Sequence, residues 1–356
     1  HLNQRRQALP TSPNIAELYL APQQTFVFNA SGDLCSLQNN GQFARFSANP
    51  AFNTNAAQAR TLCNALMNRT PGTAAVYYAN PAYYNASGGT FAFPTLKGNP
   101  NVKPEKADTW TLGTVINSPF SGALESARLS LDYYRVKVSD ALGAQSVDIA
   151  QRQCFDPAFN PTYSASSVYC AGIDRVANDG ALGNIITTFY NNGRFVTDGI
   201  DGQFDWSNDV GPGKLSVNML VTYLLSMKSS ELISDPLVEY AGTLGPSQNG
   251  LNAGNFRWKM FNTVGYEFGD WNASLQWQHL PSIKSATAAG VASTTVRGAK
   301  AYDLFSLSGG YAFSDDLSVR FGIDNVLDKA PPVTEVNSAP PPGTLAGGSI
   351  NDVLYD

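Results

Sequence analysis

KLSVNMLVTYLLSM, residues 214–227, decides how the rest of the chain is read. Leu215, Val217, Met219, Val221, Tyr223, Leu225 and Met227 take every second position, with Lys214, Ser216, Asn218, Thr222 and Ser226 in most of the gaps. A helix turning ~100° per residue would scatter those seven around its circumference, whereas a strand sends alternate side chains to opposite faces. The segment therefore predicts a β-strand with one apolar face. At ~3.4 Å per residue it reaches roughly 45 Å, and tilted by ~45° it still rises about 30 Å, the thickness of a hydrocarbon layer. Strands of water-soluble proteins usually stop at about 5–6 residues. Length and face together point to a strand that crosses a membrane.

The same alternation recurs on both sides. A strand end is expected within 1–9 and a strand over 109–116, with Trp110, Leu112 and Ile116 on one face. Over 125–138, Ala127, Leu129, Leu131 and Tyr133 oppose Arg128, Ser130, Asp132 and Tyr134, and the pattern slips at the Tyr133 and Tyr134 pair, where a bulge or a membrane exit is expected. A weaker strand is read over 195–206. Residues 255–268 set Phe256, Trp258, Met260, Val264, Tyr266 and Phe268 against Arg257, Lys259, Thr263 and Glu267. Further strands follow over 271–280, 302–313 and 316–324. The count is about nine, with the start of a tenth at Val353.

The connections carry as much information as the strands. Short links (117–124, 207–213, 269–270, 314–315) alternate with long ones (10–108, 139–184, 228–254, 284–299, 326–352). Strands running up and down would put every long loop at one end and every short turn at the other. That asymmetry, with aromatics near strand ends, matches an antiparallel up-and-down transmembrane β-barrel better than a Greek-key sandwich. The first long loop contains one helix candidate, 55–68, with Thr54 as its cap.

Composition narrows the function classes. Of 356 residues, 43% are hydrophobic and 14% charged, with 31 Gly, 21 Pro, 16 Tyr and a net charge of −5, which argues against disorder and against a nucleic-acid partner. No run of 18 apolar residues exists, so no transmembrane helix is predicted. Cys35, Cys63, Cys154 and Cys170 lie in polar, Asn-rich and Gly-rich segments without metal-ligand spacing. Cys35 with Cys63 and Cys154 with Cys170 is the natural local pairing, in an oxidising compartment, although four cysteines allow three connectivities.

Four runs resemble one family. GNPNVKPEKADTWTLG (98–113), TDGIDGQFDWS (197–207) and VRFGIDNVLDKAPP (319–332) look like the C-terminal half of TonB-dependent outer-membrane receptors, and SPNIAELY (12–19) is similar to the strand-to-loop motif preceding them. The resemblance implies a barrel of 22 strands in the outer membrane of a Gram-negative cell, around an N-terminal plug whose short box engages TonB with ExbB and ExbD. On this reading, 1–356 is a C-terminal portion of the barrel without plug, N-terminal strands or last strand, and its unpaired edges would be prone to aggregation. The implied function is energy-coupled uptake of a bulky nutrient such as a siderophore, an oligosaccharide or a cobalamin-like compound. A surface or secreted β-sandwich binding protein and a passive porin are the alternatives.

Several side chains are singled out for this role. Tyr77, Tyr78, Tyr83, Tyr84, Phe91 and Phe93 form an aromatic group in the first long loop that would stack on a small-molecule or oligosaccharide ligand, or simply pack the loop. Arg128, Asp132, Asp205, Lys259, Glu267 and Arg320 fall on the polar faces and would face the plug or a hydrated lumen. Trp206, Phe268, Trp271 and Phe313, beside short turns, read as an interfacial girdle. No catalytic, metal or cofactor pattern emerges. GPGK (211–214) leads into a strand instead of a phosphate-binding helix, DRVANDG (174–180) reads as a turn lacking a calcium-loop ligand pattern, and His279 reads as an interfacial side chain.

Overall fold

The computed structural model describes residues 3–7, 12–248, 251–285, 298–334 and 349–350. It forms two compact units, one from His1–Pro10, Lys106–Ser139 and Gly193–Asp356, the other from Thr11–Glu105 and Asp140–Asn192. Most of the expected loops at 284–299 and 326–352, and the strand start at Val353, lie outside the described residues.

The first unit is a sheet that follows chain order. Its strands are β1 (Asn3–Gln7), β2 (Lys106–Asn117), β3 (Arg128–Ala144), β4 (Leu182–Val210), β5 (Gly213–Ser230), β6 (Trp258–Phe268), β7 (Trp271–Leu280), β8 (Tyr302–Ser314) and β9 (Leu317–Ile323), with β3 after Ser139 and β4 before Gly193 counted in the other unit. Each hydrogen-bonds to the next, and the path does not close on itself among the described residues. The ladders on either side of β5 and onward to β9 are antiparallel. This is an open, up-and-down portion of a barrel wall, as the alternation predicts.

Register explains why alternate positions had to be apolar. Trp206 lies opposite Val217, Val217 opposite Val264, Val264 opposite Leu275, Leu275 opposite Leu307, and Leu307 opposite Ile323, so one apolar row runs across six strands. One residue along, Asp205, Asn218, Thr263, Gln276 and Ser306 form the polar row of the other face. Because the side-chain period is two, slipping any strand by one residue would exchange the rows, and the apolar row therefore fixes the register. Tight turns complete the pairing. Val210 pairs with Gly213 and Phe268 with Trp271 across two-residue turns, and Gly211 (φ +62°) and Gly269 (φ +55°) take the left-handed backbone those turns need.

Three expectations for the wall are corrected. The β2–β3 register runs unbroken from Lys106 opposite Ser139 to Asn117 opposite Arg128, so this ladder carries no bulge at Tyr133 and Tyr134. The irregularity is in β5, between Leu224 and Ser226, where Leu225 is the extra residue. Beyond it Met227 lies opposite Thr197, on the polar side, so the continuous stripe of residues 214–227 ends at Tyr223. The weak strand of 195–206 is instead the 29-residue β4. Its first part, expected as loop, pairs with the short strands Ile173–Arg175 and Thr95–Lys97. Within the expected 228–254 loop, Thr243–Gln248 and Leu251–Asn255 form a hairpin. A small apolar cluster of Leu244, Phe256, Leu280, Ile283, Ala299 and Tyr302 forms a local core beside it.

The second unit is built by the long loops and has a core of its own. Its helices are α1 (Ile15–Tyr19), α2 (Ala56–Met67), α3 (Thr73–Ala79), α4 (Pro81–Tyr84) and α5 (Val147–Phe155). The 12–19 run, expected to lead from strand to loop, is the capped helix α1: Glu17 N donates to Asn14 Oδ1 (2.9 Å) and Asn14 N to Glu17 Oε2 (2.7 Å). α2 occupies the predicted window, but its N-cap is Asn55 rather than Thr54, with no side-chain cap bond. Leu34, Leu62, Leu66, Tyr77, Ile149, Phe155, Ile173 and Ile185 are buried together at under 2% exposure. Cys35–Cys63 and Cys154–Cys170 are both disulfide-bonded, the pairing read from sequence. The abundance of Asn also acquires a reason. Asn39, Asn49, Asn53 and Asn160 donate to the carbonyls of Ser31, Asn39, Ser47 and Cys154 at 2.6–2.8 Å, satisfying buried backbone that no ladder reaches.

Candidate functional site

The predicted aromatic group divides into two sets. Tyr77 on α3 is fully buried, stacked on Tyr83 (centroids 5.7 Å apart) and edge-on to Tyr78 (4.9 Å). Tyr84, on α4 with Tyr83, is half-buried, and its carbonyl accepts from Leu37 N and from Ser36 Oγ. Tyr77 OH donates to Asp33 Oδ2 (2.8 Å), and Tyr83 OH to Asp179 (2.9 Å). These tyrosines surround an ion pair that sequence reading misses.

Arg175 Nη1 donates to Asp33 Oδ2 (2.7 Å) and Nη2 to Asp33 Oδ1 (2.8 Å), a two-pronged contact. Nη2 also reaches Cys35 Sγ at 2.7 Å, beside the disulfide. Burial alone would raise the Asp33 pKa, but the charge and hydrogen bonds of Arg175 outweigh it and hold the carboxyl below the ordinary carboxylate range. Burial first, and the Asp33 charge second, push the Tyr78 hydroxyl up to about 12 and raise that of Tyr77 further. The four groups keep one charge state across physiological pH. The arrangement anchors the unit and offers no proton to exchange.

Phe91 and Phe93 belong to a different set. The short strands Val27–Asn29 and Thr90–Ala92 pair so that Phe28 lies opposite Phe91. Phe26 stacks on Phe91 (4.8 Å, 18° between planes), Phe93 lies 5.2 Å from Phe26, and Phe28 meets Phe91 edge-on at 5.7 Å. All four rings are open to solvent, at 59%, 60%, 62% and 56% for Phe26, Phe28, Phe91 and Phe93. Four adjoining, exposed phenylalanines leave apolar area in water, and covering them would be favourable. Phe26 and Phe28 carry a readable signal: T-F-V-F and F-A-F each put two rings two residues apart, on one side of a strand.

The six charged candidates lie on the wall. Asp205, Lys259, Glu267 and Arg320 fall on the face opposite the apolar row: Lys214 lies opposite both Asp209 and Glu267, Glu267 opposite Asn272, and Gly310 opposite Arg320. Arg128 and Asp132 share a face of β3 with Tyr134, whose hydroxyl approaches Gly199 on the polar side of β4. The girdle candidates Phe268, Trp271 and Phe313 are 48–62% exposed, and Trp271 packs on Tyr311 at 4.5 Å. Trp206 Nε1 donates to the Ala123 carbonyl (2.6 Å). His279, at the far end of β7, is not isolated. Its Nδ1 lies 2.6 Å from Asp303 Oδ1, Trp277 Nε1 donates to the same oxygen (3.0 Å), and Trp258 stacks on the imidazole at 4.6 Å.

Comparison with known proteins gives the class. Residues 17–326 match the family model "TonB dependent receptor-like, beta-barrel", and the chain belongs to that family. No curated protein matches it. Among solved structures, a variant of the ferric enterobactin receptor PfeA of Pseudomonas aeruginosa, in complex with enterobactin, is similar at 14% identity and a TM-score of 0.50, covering 93% of this chain and 33% of that one. The siderophore receptor PirA of the same organism is similar at 15% identity and a TM-score of 0.43, covering 92% and 36%. The chain thus spans about a third of the length of these receptors.

Proposed function

We propose that this chain is the C-terminal portion of a single barrel domain, 1–356, in an outer-membrane receptor that imports a bulky, scarce nutrient. Energy would come through TonB, with ExbB and ExbD, acting on a plug that precedes this portion of the receptor. The observation that carries this reading is the apolar row from Trp206 to Ile323 on a family wall whose long connections fold into a unit with an exposed aromatic surface. A β-sandwich would cover that row, yet Leu275, Leu307 and Ile323 are 42%, 46% and 61% exposed. The strands and the loops serve different steps: the wall meets lipid, and the second unit captures ligand outside the cell. Arg128, Asp132, Asp205, Lys259, Glu267 and Arg320 face the plug side, and Phe26, Phe28, Phe91 and Phe93 make the first contact with substrate.

The test is uptake by cells carrying the full receptor, with and without functional TonB. Growth on the transported nutrient should stop when TonB is lost; a passive porin would be indifferent, and such indifference removes the import reading. Two mutations probe its parts. Leu275→Arg, in the middle of the apolar row, is expected to cost about 2–4 kcal/mol when the receptor is refolded into lipid vesicles, because a guanidinium must then sit in hydrocarbon. An unchanged unfolding midpoint would mean that this face does not meet lipid. Phe91→Ala is expected to weaken ligand binding to the detergent-solubilised receptor about tenfold, equal to about 1.4 kcal/mol, the upper range for an aromatic contact. Binding that is insensitive to both Phe26→Ala and Phe91→Ala would assign those rings elsewhere.

A further inference from the structure

The second unit contains a cavity of about 450 Å³, within the ~300–1,000 Å³ of small-molecule sites. Its lining is unusual in being amide-rich and nearly uncharged. Lys97 is the one charged side chain, and no carboxylate lines it among the described residues. Around it stand Asn99, Gln145, Gln153, Thr188 and the ring of Tyr169, with Ile173 and Ile186 behind.

These amides are held in place by the protein. Asn99 Nδ2 donates to the Phe189 carbonyl (2.8 Å) while its Oδ1 accepts from Asn101 N (3.0 Å). Gln145 Nε2 donates to Gln153 Oε1, and Gln145 Oε1 accepts from Thr188 N (3.4 Å). Gln153, only 4% exposed on α5, is fixed by the bond from Gln145 at the cavity wall. Tyr169 is 40% exposed and steadied edge-on by Phe159 at 5.6 Å.

We propose that this cavity binds a saccharide of one or two rings, which rests on the import reading and names its substrate class. Adjacent hydroxyls each donate and accept, and fixed Asn and Gln amides offer both functions side by side. The tyrosine ring covers the apolar face of a sugar ring, and Lys97 donates at the mouth. A multiply charged metal chelate would find one cation here, and a cationic ligand would find no acid.

The experiment uses the complete receptor in detergent micelles, titrated calorimetrically with sucrose, maltose, cellobiose and digalacturonate, and separately with ferric enterobactin. At least one disaccharide should bind saturably. Gln153→Met and Tyr169→Ala should each weaken it tenfold or more; the exposed Tyr169 serves as the control should the buried Gln153 variant misfold. The assignment is overturned if no disaccharide binds, if neither variant alters the affinity, or if only the ferric chelate binds and does so through these residues. TonB-dependent growth with no disaccharide binding would remove the cavity assignment alone, whereas loss of TonB dependence would remove the import reading.

Discussion

Arg175→Met is expected to loosen the second unit by about 3–5 kcal/mol, the usual consequence of removing one partner of a buried pair. The methionine fills space but leaves Asp33 buried, with two of its bonds gone and only Tyr77 OH and Cys35 N still donating to it. Hydrogen exchange on the purified receptor in detergent reads this directly, since local opening free energies set the protection of each segment. Amides of α3 and of the segment around Asp33 should lose protection while β6 and β7 keep theirs. The pH response has a definite sign. In the parent, the Asp33 pKa lies below its unfolded value, so the pair contributes stability above the ordinary carboxylate range and loses it only as pH falls through the lowered pKa. Without Arg175, burial raises that pKa above the unfolded value, so the variant gains relative stability as pH falls and loses it as pH rises. Parent-like protection in Arg175→Met at neutral pH would show that the pair is dispensable.

Replacing Cys35 and Cys63 together with alanine is expected to cost about 3.5 kcal/mol in the same unit. Their separation of 28 residues closes a loop whose entropy in the unfolded chain is the source of that figure. Here the effect extends beyond loop closure, because Cys35 Sγ sits 2.7 Å from Arg175 Nη2 and fully buried next to the ion pair. Mild reduction of the receptor should therefore expose protease sites between α2 and α3 first. Unchanged cleavage after complete reduction, checked by thiol labelling, would contradict this account. The Cys154–Cys170 bond, with a separation of 16, closes a shorter loop and should matter slightly less.

The wall is legible because its physics is local. In residues 214–223 and in β7, one face meets a single environment along the whole strand, so the two-residue period appears in the sequence itself. The beginning of β4 is hidden for the opposite reason. Leu182 to Arg194 contains three Asn and two Gly, and its pairing with Thr95–Lys97 and Ile173–Arg175 depends on partners supplied from elsewhere. α5 escapes because almost every residue from Val147 to Phe155 is buried, which erases the polar stripe by which a helix is recognised. The cap of α1 stands in plain view, as Asn14 with Glu17 three residues on, but the family motif that overlaps it points to a strand and a loop.

The candidate site is less legible than the wall, for a reason of distance. Asp33 and Arg175 are 142 residues apart, and nothing near either announces the other; Arg175 lies within a run that reads only as a turn. Tyr77 looks like a binding residue because its neighbours are aromatic, yet the same ring stacking serves a core as well as a ligand. Phe91 and Phe93 stand out in the sequence, while Phe26 and Phe28 need the short pairing of Val27 to Asn29 with Thr90 to Ala92 to bring them together.

The long connections carry their own apolar centre, two covalent staples and a buried charge pair, so their outward residues answer to few structural demands. Phe26, Phe91 or Tyr169 can be exchanged during evolution without disturbing the ladder from β5 to β9. What the second unit presents outward can thereby change by editing a self-supporting insert, while the strand pairing of the wall is inherited unaltered.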